Sequence, residues 1–363
     1  MTFRKVILTL HLVGGLVAAI FLILLGLTGA LLVFENEINH WLNPKLTEVQ
    51  PVGERLSLNA LTEKLERSHP GYKVSALSLS AKDDLAFAVF LDGGARGGSI
   101  RAAVNQYTGE ELGDPAKGNQ FMQRAHQFHT HLLLGEVGGE ITGWSSVFLL
   151  GLSVSGLILW WPRKLWKFTG RRASRFNFDL HNVLGLYSSI FLFLFGLTGV
   201  VIHFENQTAR LINRLTGSTE PQPVKAAAQA AGAQPLGPDA LLAVAIQTVP
   251  GAQVTFIQGL GNVRNPVRVI MKYPEDGTPA GRTIIYIDPV TGNVLSSQPS
   301  RTASWGFRVV KLWNREIHTG DIYGWPTRIL ACLMSLALPV LAVTGPLIWW
   351  GRQRRKWGAR ADG

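Results

Sequence analysis

The chain writes one stretch twice. His11 to Asn36 reads HLVGGLVAAIFLILLGLTGALLVFEN, and His181 to Asn206 reads HNVLGLYSSIFLFLFGLTGVVIHFEN. At a constant offset and without a gap they share the opening His, a Gly-Leu pair, Ile-Phe-Leu, the run Gly-Leu-Thr-Gly and a closing Phe-Glu-Asn. Self-similarity of this kind restricts the fold to two copies of one plan. Each copy has a core of about 22 apolar or small residues without a charge, enough at about 1.5 Å per residue to cross a hydrocarbon layer of about 30 Å. Both read as transmembrane helices, with the His at one membrane face and the Glu at the other.

The net charge of +11 raises the question of nucleic acid. Its distribution answers it. Arg4 and Lys5, the group Arg163, Lys164, Lys167, Arg171, Arg172 and Arg175, and the group Arg352, Arg354, Arg355, Lys356 and Arg360 flank the apolar blocks on one side. That is the positive-inside pattern, so both termini and the middle loop are expected in the cytoplasm and no nucleic-acid partner is needed. The single cysteine, Cys332, excludes an intrachain disulfide, a Cys metal cluster and a Cys-x-x-Cys-His attachment for covalent haem. The apolar N-terminal run is too long for a signal h-region and has an internal copy, so it reads as a retained helix.

The first polar stretch carries an amphipathic helix over 57–69, with Leu58, Leu61 and Leu65 on one face, and alternating strand patterns at 74–80, 85–91 and 100–106. The second stretch opens with a Pro/Ala/Gln-rich tether over 216–239. A helix at 240–249 and strand patterns at 254–258, 267–272 and 283–288 follow. Asp288-Pro289-Val290-Thr291-Gly292 matches Asn105 to Gly109, with Gln106 where the second copy has Pro289. Asp-Pro-x-Thr-Gly is turn chemistry, which gives this motif a structural role. The second and fourth apolar blocks, 144–161 and 329–350, both end in a Trp pair.

The expected architecture is a membrane α-helical protein, four transmembrane helices from an internal duplication with two small α+β periplasmic domains. Its boundaries are 1–35 for the N-terminus and first helix, 36–140 for the first domain, 141–161 for the second helix, 162–180 for a basic cytoplasmic loop, 181–204 for the third helix, 205–326 for the tether and second domain, 327–350 for the fourth helix and 351–363 for a basic tail.

Four of the nine histidines form two repeat-related pairs. His11 matches His181 near the cytoplasmic face. Stepping back 32 residues from Trp161 and from Trp350 gives His129 and His318 near the opposite face. Two copies related by an approximate twofold axis can present the same side chain from opposite sides of one central object, as the two axial positions of a haem iron require. His126 and His131 are alternates for the second site, and His203, which has Val33 as its counterpart, is a further one. Zinc ordinarily takes three or four protein ligands, and a transporter would show acidic residues in mid-membrane. The apolar blocks hold no acidic residue.

Leu-His followed by Gly-Leu-Thr-Gly, His-Thr segments leading to Gly-Leu-Ile-Leu-Trp-Trp-Pro, and Asp-Pro-Val-Thr-Gly-Asn-Val together resemble the PepSY-associated transmembrane family of bacterial inner-membrane proteins, which includes iron-regulated siderophore reductases. The resemblance covers nearly the whole chain. It implies a multi-pass inner (plasma) membrane protein with b-type haem, two haems in all, and two periplasmic PepSY domains. The implied activity is reduction of a periplasmic ferric siderophore or other ferric chelate, with a quinol or a cytoplasmic reductase as electron donor. It implies His11, His181, His129 and His318 as the haem ligands; no catalytic residue beyond them is assigned. Two other readings stay open at this point: a membrane-anchored PepSY binding or inhibitory module without redox activity, and a metal transport or assembly factor.

Overall fold

A computed structural model describes residues 2–94, 97–162, 164–169, 173–218, 224 and 233–361. Most of the expected tether and three arginines of the basic loop, Arg163, Arg171 and Arg172, lie outside the described residues. The chain forms two compact units.

The first unit comprises residues 1–35, 121–212 and 313–363. Its frame is four helices, Phe3–Leu32, Gly135–Trp160, Ala173–His203 and Trp325–Ala361. Each contains a span long and apolar enough to cross a membrane. The first helix packs chiefly on the fourth and the second on the third. Ala18, Leu22, Leu149, Leu192 and Leu338 bring all four together in one buried cluster. Large apolar side chains such as Val17, Ile20, Ile190 and Leu333 point outward. A water-soluble bundle would reverse that polarity, whereas lipid accepts it.

Small residues set the close approaches. A Cβ at Gly26 would lie 2.7 Å from Pro339 Cδ and 2.9 Å from the Ser335 carbonyl oxygen, and one at Gly196 would lie 2.8 Å from the Leu150 nitrogen. These repeat-related glycines let the first helix reach the fourth and the third reach the second. Shorter helices join the unit, among them Gln120–His131 and Asn314–Thr319. The latter follows a π-helical stretch, Arg308–Trp313.

The second helix begins at Gly135, ahead of the Trp144 that the sequence suggests. Its glycine-rich first turns are packing surface. Cβ atoms at Gly138, Gly139 and Gly143 would meet the His131 carbonyl, the His131 ring and the His203 ring.

The second unit, residues 36–120 and 213–312, brings the two polar segments together. Strands β1 (Lys73–Ser78), β2 (Phe87–Asp92), β3 (Ser99–Val104), β4 (Glu111–Gly113), β5 (Gln253–Gln258), β6 (Val267–Lys272), β7 (Thr283–Ile287) and β8 (Val294–Gln298) form one sheet. Its order is β4-β3-β2-β1-β5-β6-β7-β8, with every neighbouring pair antiparallel. The halves meet where β1 pairs β5, with Ala76 opposite Gln258 and Ser78 opposite Phe256. An open edge strand in each half would be a liability, and pairing the two removes both.

Helices Leu58–Ser68 and Pro238–Thr248 cover one face of the sheet, and Leu61, Leu65, Leu241 and Ala245 join a core with Leu77, Val89, Ile257, Val269 and Ile285. Their N-termini cap one another across the halves. The Asp239 carboxylate accepts from the Leu58 N–H at 2.8 Å and the Asn59 N–H at 3.0 Å, while Asn59 Oδ1 accepts from the Asp239 N–H at 3.2 Å.

The duplicated turn motif works alike in both copies. Asn105 Oδ1 accepts from the Tyr107 N–H and Asp288 Oδ1 from the Val290 N–H, and Gly109 and Gly292 take φ of 67° and 74°. The carbonyls of Gln106 and Pro289 accept equivalent bonds from Leu56 and Leu236. The Gln-for-Pro difference leaves the turn intact.

Candidate haem-ligand pairs in the helical unit

Each histidine pair faces across the bundle. The ring centroids of His11 and His181 are 6.4 Å apart with planes at 85°, and those of His129 and His318 are 6.4 Å apart with planes at 59°.

What orients the rings is a hydroxyl, once per histidine. His11 Nδ1 lies 2.8 Å from Ser155 Oγ, and His181 Nδ1 lies 2.8 Å from Thr344 Oγ1. His129 Nδ1 lies 2.9 Å from Thr28 Oγ1, and His318 Nδ1 lies 2.8 Å from Thr198 Oγ1. Ser155 matches Thr344 in the repeat, and Thr28 matches Thr198. In each case the hydroxyl already donates its proton to a helix carbonyl one turn back, on Gly151, Val340, Leu24 and Leu194 respectively. Its remaining capacity is to accept, which assigns the ring proton to Nδ1 and leaves the Nε2 lone pair without a proton. A metal-ligating histidine is ordinarily held in this way through its other nitrogen.

Glycines seat the rings. A Cβ at Gly156 would lie 3.4 Å from His11 Cε1, at Gly345 3.3 Å from His181 Cε1, and at Gly29 3.2 Å from His129 Cε1. In Gly-Leu-Thr-Gly, the first glycine is therefore helix contact and the threonine holds a histidine. At Gly29 the second glycine makes room for the His129 ring; its counterpart Gly199 lies chiefly against Ser146.

His11 and His181 line a cavity of about 570 Å³, bounded also by Gly15, Gly156, Gly185 and Gly345. Cofactor pockets occupy about 300 to 1,000 Å³. Outside the spanning segments, burial pushes His129 down to about 3, with His318 and then His126 adding to the effect, and pushes His318 down to about 4, with Arg315 adding. Both rings are thus neutral at physiological pH, the form that ligates a metal.

The alternates have other partners. His126 Nδ1 meets Glu35 Oε2 at 3.4 Å, and this carboxylate raises its pKa. His131 is exposed and bonds Thr130 Oγ1. His203 Nε2 lies 3.5 Å from Glu140 and packs edge-on against Phe204.

Two facing neutral imidazoles are the donor set that a haem iron would take, and at His11 and His181 they border a cavity of matching size. His11 with His181, and His129 with His318, would hold such a group through the Nε2 atoms that the hydroxyls leave unprotonated, and it would supply one-electron chemistry there. The four hydroxyls were not singled out in the sequence. The signal was a Ser or Thr at the same register in both copies, and its partner lies 101 to 163 residues away.

Comparison with curated proteins gives no match. The family model described as "PepSY-associated TM region" matches residues 8–352, nearly the whole chain, and the protein belongs to that family.

Proposed function

We propose that this protein is an inner-membrane electron-transfer protein with two b haems, one between His11 and His181 and one between His129 and His318, that reduces a periplasmic ferric siderophore or similar ferric chelate. The observation that carries this reading is the twofold recurrence of one arrangement: facing imidazoles 6.4 Å apart, each tied at Nδ1 by a repeat-related hydroxyl. A single fixed histidine has structural explanations; two matched facing pairs in one bundle have the form of axial ligand sets.

Haem, when bound, supplies reversible one-electron chemistry. The chain's own residues hold and orient the ligands, and Leu22 and Leu192 belong to an apolar cluster shared by the four helices. Along the first helix, the His11 and Thr28 positions are about 25 Å apart at 1.5 Å per residue, so the two pairs serve opposite ends of the span. Positive-inside charge supports a cytoplasmic His11 end, and on this reading the sheet unit is periplasmic and meets the ferric substrate there. The reduction is Fe(III)-chelate plus one electron giving Fe(II) and chelate, and hard oxygen donors hold Fe(II) weakly. The electron originates from a quinol or a cytoplasmic reductase.

The test mixes dithionite-reduced, desalted protein with a ferric hydroxamate in the presence of a ferrous-specific dye. Reoxidation of the α band with stoichiometric Fe(II) capture is expected. A reduced protein that stays reduced would overturn ferric-chelate reduction.

A further inference from the structure

The cavity between His11 and His181 carries a charge imbalance that the ligand assignment does not use. Arg4, Lys5 and Arg352 line it, and no Asp or Glu does. Among the described residues, none of the three makes an ion pair. Arg4 and Lys5 occupy the first turn of the first helix, about 10 Å before His11 at 1.5 Å per residue. Arg352 follows Trp349 on the fourth helix, about 12 Å beyond Thr344, the residue that holds His181. The cations therefore gather at one end of an otherwise largely apolar cavity, on the side away from the bundle centre. The repeat is asymmetric here: Arg175, the counterpart of Lys5, is neutralised by Asp179 at 2.9 Å.

We propose that Arg4, Lys5 and Arg352 form a carboxylate clamp, which binds the two propionates of the macrocycle held by His11 and His181 and fixes them toward the cytoplasmic mouth. This rests on the haem reading given above. Guanidinium and ammonium groups bind carboxylates through charge-assisted hydrogen bonds, and a flat dianion with an apolar body matches an apolar cavity with a cationic end. The same cations suit an anionic lipid headgroup, and the experiment separates the two sources.

Full-length apoprotein, the Arg4→Gln/Lys5→Gln/Arg352→Gln variant and the charge-retaining Arg4→Lys/Arg352→Lys variant are titrated with haem and with haem dimethyl ester, which lacks the carboxylates. The clamp predicts that the Gln variant binds one of two haems about tenfold or more weakly. It also predicts that the ester binds parent and Gln variant alike and that the Lys variant retains most of the affinity. Equal haem affinity in parent and Gln variant would overturn the clamp and leave the cations to lipid headgroups, with the haem reading intact. Equal loss for haem and ester would overturn it in favour of a general folding role. A parent that takes up neither compound would overturn the clamp and the haem reading together.

Discussion

A histidine ligates a metal well only if its ring is neutral, immobile and turned with the correct nitrogen outward, and here each condition traces to a neighbour. Thr28, Ser155, Thr198 and Thr344 accept a hydrogen bond from Nδ1–H, and Gly29, Gly156 and Gly345 present a bare backbone against which a ring packs. Replacing His181 by Ala is expected to remove one haem and leave the other, as read by pyridine haemochrome; retention of both contradicts the inner assignment. Thr198→Val keeps the shape and removes the acceptor. It is expected to weaken haem retention at the outer pair by about 10- to 100-fold and to raise that haem's midpoint potential, since the imidazole becomes less basic. His126 supplies a pH test outside the spans. Its pKa is raised by Glu35, so the contact stabilises the fold below about pH 6.5 and the contribution is lost as pH rises through the raised value. Glu35→Gln should flatten thermal stability over that window, by a small amount because the pair is partly exposed. At this scale the sequence displayed the histidines but not their holders. A hydroxyl on an apolar helix reads as helix filler until its partner, more than 100 residues away, is placed beside it.

Elements follow from pattern wherever the pattern is long. The uncharged runs gave the spanning helices, and alternation gave β1 to β3 and β5 to β7 close to their observed limits. The short edge strands β4 and β8 left no such trace, because three and five residues with weak alternation carry too little periodic signal. The start of the second helix was hidden for the opposite reason: Gly138, Gly139 and Gly143 are poor helix formers, yet they are helical positions packed against His131 and His203. Two substitutions test this scale. Gly26→Leu inserts atoms where even a Cβ meets Pro339 at 2.7 Å, and is expected to destabilise the helical unit by about 1 to 3 kcal/mol, seen as a lower thermal midpoint with loss of haem. Asp239→Ala removes the acceptor for two N–H groups at the start of helix Leu58–Ser68. It should cost the sheet unit about 1 to 2 kcal/mol in denaturant unfolding, with haem content unchanged.

For the whole molecule, the two repeats act together in both units. Neither repeat contains a complete facing histidine pair, since His11 and His129 belong to the first and their partners to the second. Neither polar segment is a complete sheet, since β1 of one half pairs β5 of the other. The first fact was legible from matched spacing, whereas the second was not, because strand pairing is a backbone event and β1 and β5 carry no side-chain signature for one another. Family membership spans the chain from residue 8 to 352 and agrees with this shared architecture. The central claim, that the molecule exists to hold two haems between its repeats, is tested most directly by pyridine haemochrome analysis with oxidised and reduced visible spectra of detergent-purified protein made under ample haem supply. The account predicts about two b haems per chain, with the sharp reduced bands of bis-histidine ligation. A colourless protein would contradict it, leaving the facing histidines as packing and the sheet unit as the functional part.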